Sequence, residues 1–105
     1  MDGPRSPAET LAYRLAAQAS EAARRGDYKE AMQKLDEAQR TAPRYALVYQ
    51  YRSNVAYLMG DPKAAIEALK KGLELEPDNA LFRENLKNLL KQAEAVGAPA
   101  AQSSH

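Results

Sequence analysis

The stretch "RRGDYKEAMQKLDEAQRTAP" (residues 24–43) returns further along the chain as "LMGDPKAAIEALKKGLELEP" (residues 58–77). Gly26 and Gly60, Asp27 and Asp61, Ala31 and Ala65, Leu35 and Leu69, and Pro43 and Pro77 each stand 34 residues apart. Five landmarks at one offset mark a repeated structural unit. A period of this length is the sequence sign of a solenoid, whose helix pairs stack because no pair can bury its apolar face alone. The Gly-Asp step at the head of each copy has its own logic. Glycine ends one helix in a left-handed turn, and aspartate caps the next.

The same punctuation divides the whole chain. Ser6-Pro7-Ala8-Glu9 offers an N-cap serine, a proline at the first helical position and a glutamate three residues after the cap, so a helix is predicted over about 7–25. Asp27 caps a second helix, with Glu30 completing a capping-box pattern, and Pro43 ends it. A third runs from about Arg44 to Met59 and stops at Gly60. Asp61-Pro62 starts a fourth, which Pro77 closes. Asp78 caps a fifth, which fades at Gly97 and Pro99. No segment alternates with the period of two that a strand requires. The expected architecture is all-α, with five helices joined by short turns. Residues 1–6 read as a flexible N-terminus, 7–96 as one domain and 97–105 as a disordered tail.

Composition narrows the function. The 105 residues carry fifteen Lys and Arg against fourteen Asp and Glu, a net charge of +1 that exerts no general pull on nucleic acid or membrane. Arg24-Arg25, Lys70-Lys71 and the Lys87/Lys91 pair are scattered among acids instead of forming a basic stripe. There is no cysteine, and the single histidine is His105. Neither a Ser-His-Asp nor a Cys-His arrangement follows from such a set. The carboxylates Glu30, Asp36, Glu37, Glu67 and Glu74 suit solvated helix faces with lysine partners. Each glycine reads as an isolated helix stop, with no phosphate-cradling loop. No catalytic, cofactor-binding or metal-binding residue is expected, and the chain reads as a non-enzyme. With no ~20-residue apolar run and no signal-peptide core in "MDGPRSPAET", the expected location is cytoplasmic.

Within the repeated phrase, Ala31-x3-Leu35 and Ala65-x3-Leu69 are each followed by a proline eight residues on, and the second copy closes with "GLELEPDN" (residues 72–79). These motifs resemble the tetratricopeptide repeat (TPR) family. The resemblance covers two full repeats, about 12–45 and 46–79, with the stretch about 79–96 as a capping helix. It implies antiparallel helix pairs stacked into a short right-handed solenoid whose concave face is lined by the first helix of each repeat. The first helices depart from the family's W-x2-L-G-x2-Y pattern. They carry Leu15, Gln18, Ala19 and Ala22, then Tyr49, Arg52, Ser53 and Ala56. Gln18 and Arg52 stand where leucine is usual, and their stems are expected to pack while their heads reach water.

The resemblance implies binding of a protein or peptide, with no cofactor. The 34-residue offset groups the inner-face positions into rows: Tyr13, Leu47 and Leu81; Ala16, Gln50 and Glu84; Ser20, Asn54 and Asn88; Ala23, Tyr57 and Lys91. The third helix, "ALVYQYRSNVAYLMG" (residues 46–60), is apolar around most of its circumference, which calls for cover on most sides. That cover is core neighbours, a ligand or a second copy of the chain. Candidate partner-binding residues are Tyr13, Leu47, Gln50, Tyr51, Asn54, Tyr57 and Leu81, suited to a peptide with apolar or aromatic anchors. In the groove reading Tyr13, Tyr51 and Tyr57 stand open. In the alternative, a homodimer built on the third helix or on the uncapped first helix, they are covered. Some TPR domains clamp acidic chaperone tails with lysine, arginine and asparagine. The matching positions here are Ala16, Ser20, Tyr51, Leu81 and Asn85, which hold no cation, so such a clamp is not expected. On the fifth helix Leu81, Phe82, Leu86, Leu89, Leu90 and Ala93 read as one apolar side.

Overall fold

The computed structural model describes residues 5–95. They form five α-helices: α1 (Pro7–Arg24), α2 (Tyr28–Thr41), α3 (Ala46–Leu58), α4 (Pro62–Leu75) and α5 (Ala80–Ala95). Among the described residues there is no strand, so the all-α architecture is as expected. The expected flexible stretch lies outside the described residues except for Arg5 and Ser6. The tail expected over 97–105 lies outside them altogether.

The Gly-Asp step works twice in the same way. Gly26 and Gly60 sit at φ +84° and +81°, a conformation costly for residues with a Cβ. The Gly26 N–H donates to the Ala23 carbonyl (2.9 Å) and the Asp27 N–H to the Ala22 carbonyl (2.8 Å). In the second copy Gly60 donates to Tyr57 (3.0 Å) and Asp61 to Ala56 (2.9 Å). Both are Schellman closures, which satisfy the orphan carbonyls of the ending helix. The same aspartates then accept from Glu30 N–H and Ala64 N–H, both at 3.1 Å, and cap α2 and α4. Helix ends before Pro43 and Pro77 also repeat. Ala42 and Glu76 leave helical geometry at φ −143° and −135°, as the residue before a proline prefers.

Two local expectations are corrected. Glu30 does not close a capping box on Asp27, because the Asp27 N–H is already held by the Ala22 carbonyl; the Glu30 carboxylate lies 3.5 Å from Arg25. Ser6 and Glu9 do form a full capping box. The cap of α5 is Asn79 and not Asp78. Asp78 belongs to the turn closed by the Asn79 N–H on the Glu76 carbonyl, while the Asn79 side chain accepts from Phe82 N–H at 3.0 Å.

Sequential helices pack as pairs, α1 on α2 and α3 on α4, with α3 also against α1 and α2, and α5 against α4. Burial follows the 34-residue offset: Ala12 and Ala46, Leu15 and Tyr49, Ala22 and Ala56, Ala31 and Ala65, and Leu35 and Leu69 are all buried. The many alanines let backbones approach closely, and Leu35, Leu69, Val48 and Val55 fill the space that remains. Ser53 replaces Ala19 of the first copy; its buried hydroxyl donates to the Ala65 carbonyl at 2.9 Å. Gln18 reaches water as expected. Arg52 instead turns its guanidinium to Asp36 on α2, 2.6 Å away, and its Nε is buried without a hydrogen-bond partner.

The outer faces of the array show how the repeat is varied where no further helix pair packs among the described residues. Val48 and Val55 seat α3 on the first pair and are fully buried. Their counterparts 34 residues earlier are Arg14 and Glu21, both exposed. The uncapped side of α1 therefore carries charge at these positions, beside the exposed Leu11. At the other end, Tyr49 and Ser53 are buried under α4, whereas Arg83 and Lys87 of α5 face water. The apolar side of α5 is narrower than its sequence suggests. Phe82 is buried, Leu86, Leu89 and Ala93 are half-buried, and Leu81 and Leu90 are exposed. With α4 as its main neighbour, the helix buries one stripe only.

Candidate functional site

Helices α1, α3 and α5 share one face, and between them runs a cleft of about 460 Å³. Two rows of the 34-residue offset line it, Ser20/Asn54/Asn88 and Arg24/Leu58/Gln92, together with Gln50, Ser53, Tyr57, Asn85 and Leu89. Five of these side chains are amides, and three of them form an ordered chain. Asn85 Nδ2 donates to Gln50 Oε1 (3.1 Å), and Gln50 Nε2 donates to Asn54 Oδ1 (3.0 Å). Farther along, the Tyr57 hydroxyl donates to Gln92 Oε1 (2.9 Å). These bonds tie α5 to α3 and fix the amides in place. They use only part of the capacity, since each carboxamide offers two donors and an acceptor with two lone pairs. Among the described residues no carboxylate lines the cleft, and Arg24, paired with Glu21 at 2.7 Å, is its one cation.

The seven residues singled out from the sequence fall into three places. Gln50, Asn54 and Tyr57 line the cleft, with the Tyr57 side of α3 open to solvent at 50% exposure. Tyr13 and Tyr51 are half-buried and meet each other edge to face, ring centroids 6.0 Å apart at 76°. Leu47 is half-buried and Leu81 is 61% exposed, and neither borders the cleft. Of the clamp positions, Ala16 is buried while Ser20 and Asn85 line the cleft. The reading passed over the row Arg24/Leu58/Gln92, although the offset that produced the other rows contains it. Asn88 stands in one of the inner-face rows read from the offset and Asn85 at a clamp position, yet neither is among the seven candidates, because α5 reads as a capping helix with a solvated polar side.

Beside the cleft, Arg5 adds a residue from outside the repeats. Its guanidinium carbon lies 4.3 Å from the Tyr13 ring centroid, and its Nε donates to the Tyr45 hydroxyl. The Tyr51 hydroxyl has its pKa raised above the ordinary 10.0, first by burial and then by Tyr13, against the lowering influence of Arg24 and Arg5. The folded chain thus holds this proton more tightly than the unfolded chain. Its contribution to stability is complete below pH 10 and is lost as the pH rises through the folded-state value. Thermal melts above pH 10 should therefore fall more steeply for the native chain than for Tyr51→Phe.

A second cleft, about 660 Å³, lies between α2 and α4, floored by Tyr49, Arg52 and Ala56 of α3. Its walls mix Met32 and Met59 with Asp36, Glu67, Lys71 and Glu74, charges of both signs. Among the described residues no helix is long and apolar enough to cross a membrane, and no group of three or more His, Asp or Glu side chains is placed to hold a metal ion.

The family model of the tetratricopeptide repeat matches residues 46–79, the span of α3, α4 and the turn that follows. A search of curated proteins finds no match to the chain. Repeats of this family generally mediate protein–protein interaction and are typically non-catalytic. Residues 46–79 are a tetratricopeptide repeat, and the five-helix chain around them is consistent with an array of such repeats.

Proposed function

We propose that the domain, residues 7–96, is a non-catalytic interaction module that binds an extended segment of a partner protein along the α1/α3/α5 cleft. In this reading 12–45 and 46–79 are its two repeats and α5 caps them. The observation that carries it is the chain of amides Asn85–Gln50–Asn54, pre-ordered by mutual hydrogen bonds and still offering donors and acceptors to the cleft. An extended backbone alternates carbonyl and N–H groups, and carboxamides match both. Tyr57, Leu58 and Leu89 border the same cleft and give an apolar side chain a place to dock. Because the helices and amides are already fixed, little ordering entropy opposes association. Tyr13, Leu47, Tyr51 and Leu81 are secondary contacts for apolar or aromatic anchors farther along the segment. The lack of cysteine accords with a cytoplasmic setting.

Peptides selected from a displayed library against the native chain test this. The double change Asn54→Ala with Asn88→Ala should weaken the selected peptides about tenfold or more, as removal of two or three hydrogen bonds does, with helical circular dichroism unchanged. Unaltered affinity would remove the amides from the binding surface. A second reading is favoured by the run Tyr57, Leu58 and Met59, all exposed at the end of α3. There a second copy would cover the apolar patch, and light scattering across a concentration series would show a dimer that Leu58→Ser dissociates.

A further inference from the structure

We infer that Tyr13, Tyr45 and Tyr51 form a receptor for an arginine side chain of a partner protein, filled within the free chain by its own Arg5. The chemistry of the site is visible in its present occupant. The Arg5 guanidinium sits over the Tyr13 ring at 4.3 Å, and its Nε–H donates to the Tyr45 hydroxyl. Among the described residues no carboxylate forms an ion pair with it. Ring face and phenol oxygen make its direct contacts, and Glu9 attracts the charge from farther off. This is the way a planar guanidinium is recognised: it stacks on an aromatic face and keeps its edge donors for acceptors.

Receptor and occupant differ in how they are anchored. Tyr13 belongs to α1, Tyr51 to α3, and Tyr45 is the N-cap residue of α3, so the rings ride on packed helices. Tyr51, half-buried like Tyr13, meets it edge to face at 6.0 Å. Arg5 comes from the short non-helical lead into the Ser6 cap and is exposed. Its hold is that of an exposed cation on a ring, a factor of about two- to fivefold in occupancy. An arginine delivered at high local concentration by a bound partner displaces such an occupant.

Position ties the receptor to the cleft. Ser20, which lines the cleft, follows Tyr13 by two helical turns on the same face, so about 10 Å separates them along α1. An extended segment covers that distance in about three residues. The partner class is thus a protein segment with an arginine about three residues from the part lying on the amides. This placement rests on the groove reading; the receptor does not.

The test uses the full chain and its Arg5→Ala variant, titrated with N-acetyl-arginine-methylamide and with the uncharged N-acetyl-citrulline-methylamide. Ring-proton resonances of the three tyrosines are the readout. In Arg5→Ala the arginine derivative should shift all three, and the citrulline derivative should not. The native chain should need about three- to sixfold more ligand for half-saturation, because Arg5 competes. Adding Tyr13→Leu, which keeps the bulk packed on α1, should abolish the arginine shifts at Tyr45 and Tyr51 while circular dichroism stays helical. Equal midpoints in native and Arg5→Ala chains, shifts from citrulline as large as those from arginine, or no arginine shift in Arg5→Ala would each overturn the receptor. A single-residue probe occupies no groove, so the result stands whether or not library peptides bind the cleft.

Discussion

Phe82→Ala is expected to destabilise the domain by about 3–5 kcal/mol, the range for deleting a buried aromatic ring. Phe82 is 2% exposed and is the one fully buried side chain of α5. It packs with Ala46 and Leu69 as well as with half-buried leucines of α4 and α5. Against a total stability of about 5–15 kcal/mol, such a loss removes a large share and weakens the docking of α5 in a chain that still melts. The cleft would go with it, because Asn85, Asn88 and Gln92 all ride on α5. The ring also explains Gly72, a glycine inside α4. A Cβ built there would lie 2.4 and 2.7 Å from two carbons of the Phe82 ring, which is itself buried at 2% exposure. Gly72→Ala alone should therefore cost about 1–3 kcal/mol through overpacking, despite the better helix propensity of alanine. In the Phe82→Ala background the clash is gone. The same change should then stabilise by about 1 kcal/mol, as propensity alone dictates. Urea melts of the four proteins of this cycle measure the reversal of sign; a Gly72→Ala effect of the same sign in both backgrounds would show that the ring does not set the spacing of α4 and α5.

Leu35→Ala should come next in size, at the upper part of the 2–5 kcal/mol range. Leu35 has no exposed surface and lies in a cluster of Ala16, Ala19, Ala22, Ala23, Ala31 and Val55, with only Met32 and Tyr51 as larger partly buried side chains packed against it. Alanine and valine have almost no rotamer freedom with which to fill a hole, and three helices hold their backbones apart. Met32, at the edge of the cluster, is the one flexible side chain that can move toward the cavity, so most of it stays open. Leu69 occupies the same place in the second repeat, yet Leu73, Leu86 and Leu89 pack around it and can shift inward. Leu69→Ala should accordingly cost less than Leu35→Ala, although the atoms removed are identical. Chemical denaturation of both variants decides the order. Equal costs would mean that the alanine-walled first pair relaxes as easily as the leucine-walled second.

The helices were legible because their ends are decided locally. Gly26, Asp27, Pro43 and their counterparts 34 residues on act within a turn or two of the chain, and the boundaries from the end of α1 to the end of α4 follow from them. The errors arose where one group had two suitors. The Asp27 N–H is claimed by Ala22 of the ending helix and is lost to Glu30 of the starting one, a competition that a motif read alone does not reveal. Leu81 and Leu90 were placed on the apolar side of α5 by projection, but how wide a buried stripe becomes depends on how many neighbours a helix has. Part of the cleft could be read from the offset, as the row Ser20/Asn54/Asn88 shows. The pairing of Tyr13 with Tyr51 could not. It depends on how α1 crosses α3, and the contact of Arg5 depends on a residue outside the repeat period.

The central claim is that partner segments lie along the α1/α3/α5 face, and chemical-shift mapping tests it most directly. A library-selected peptide would be added to isotope-labelled protein and the side-chain amide resonances followed. Shifts concentrated at Gln50, Asn54, Asn85, Asn88 and Gln92 are the expected result. Shifts concentrated instead around Met32, Asp36, Arg52 and Glu67, in the cleft between α2 and α4, would contradict it.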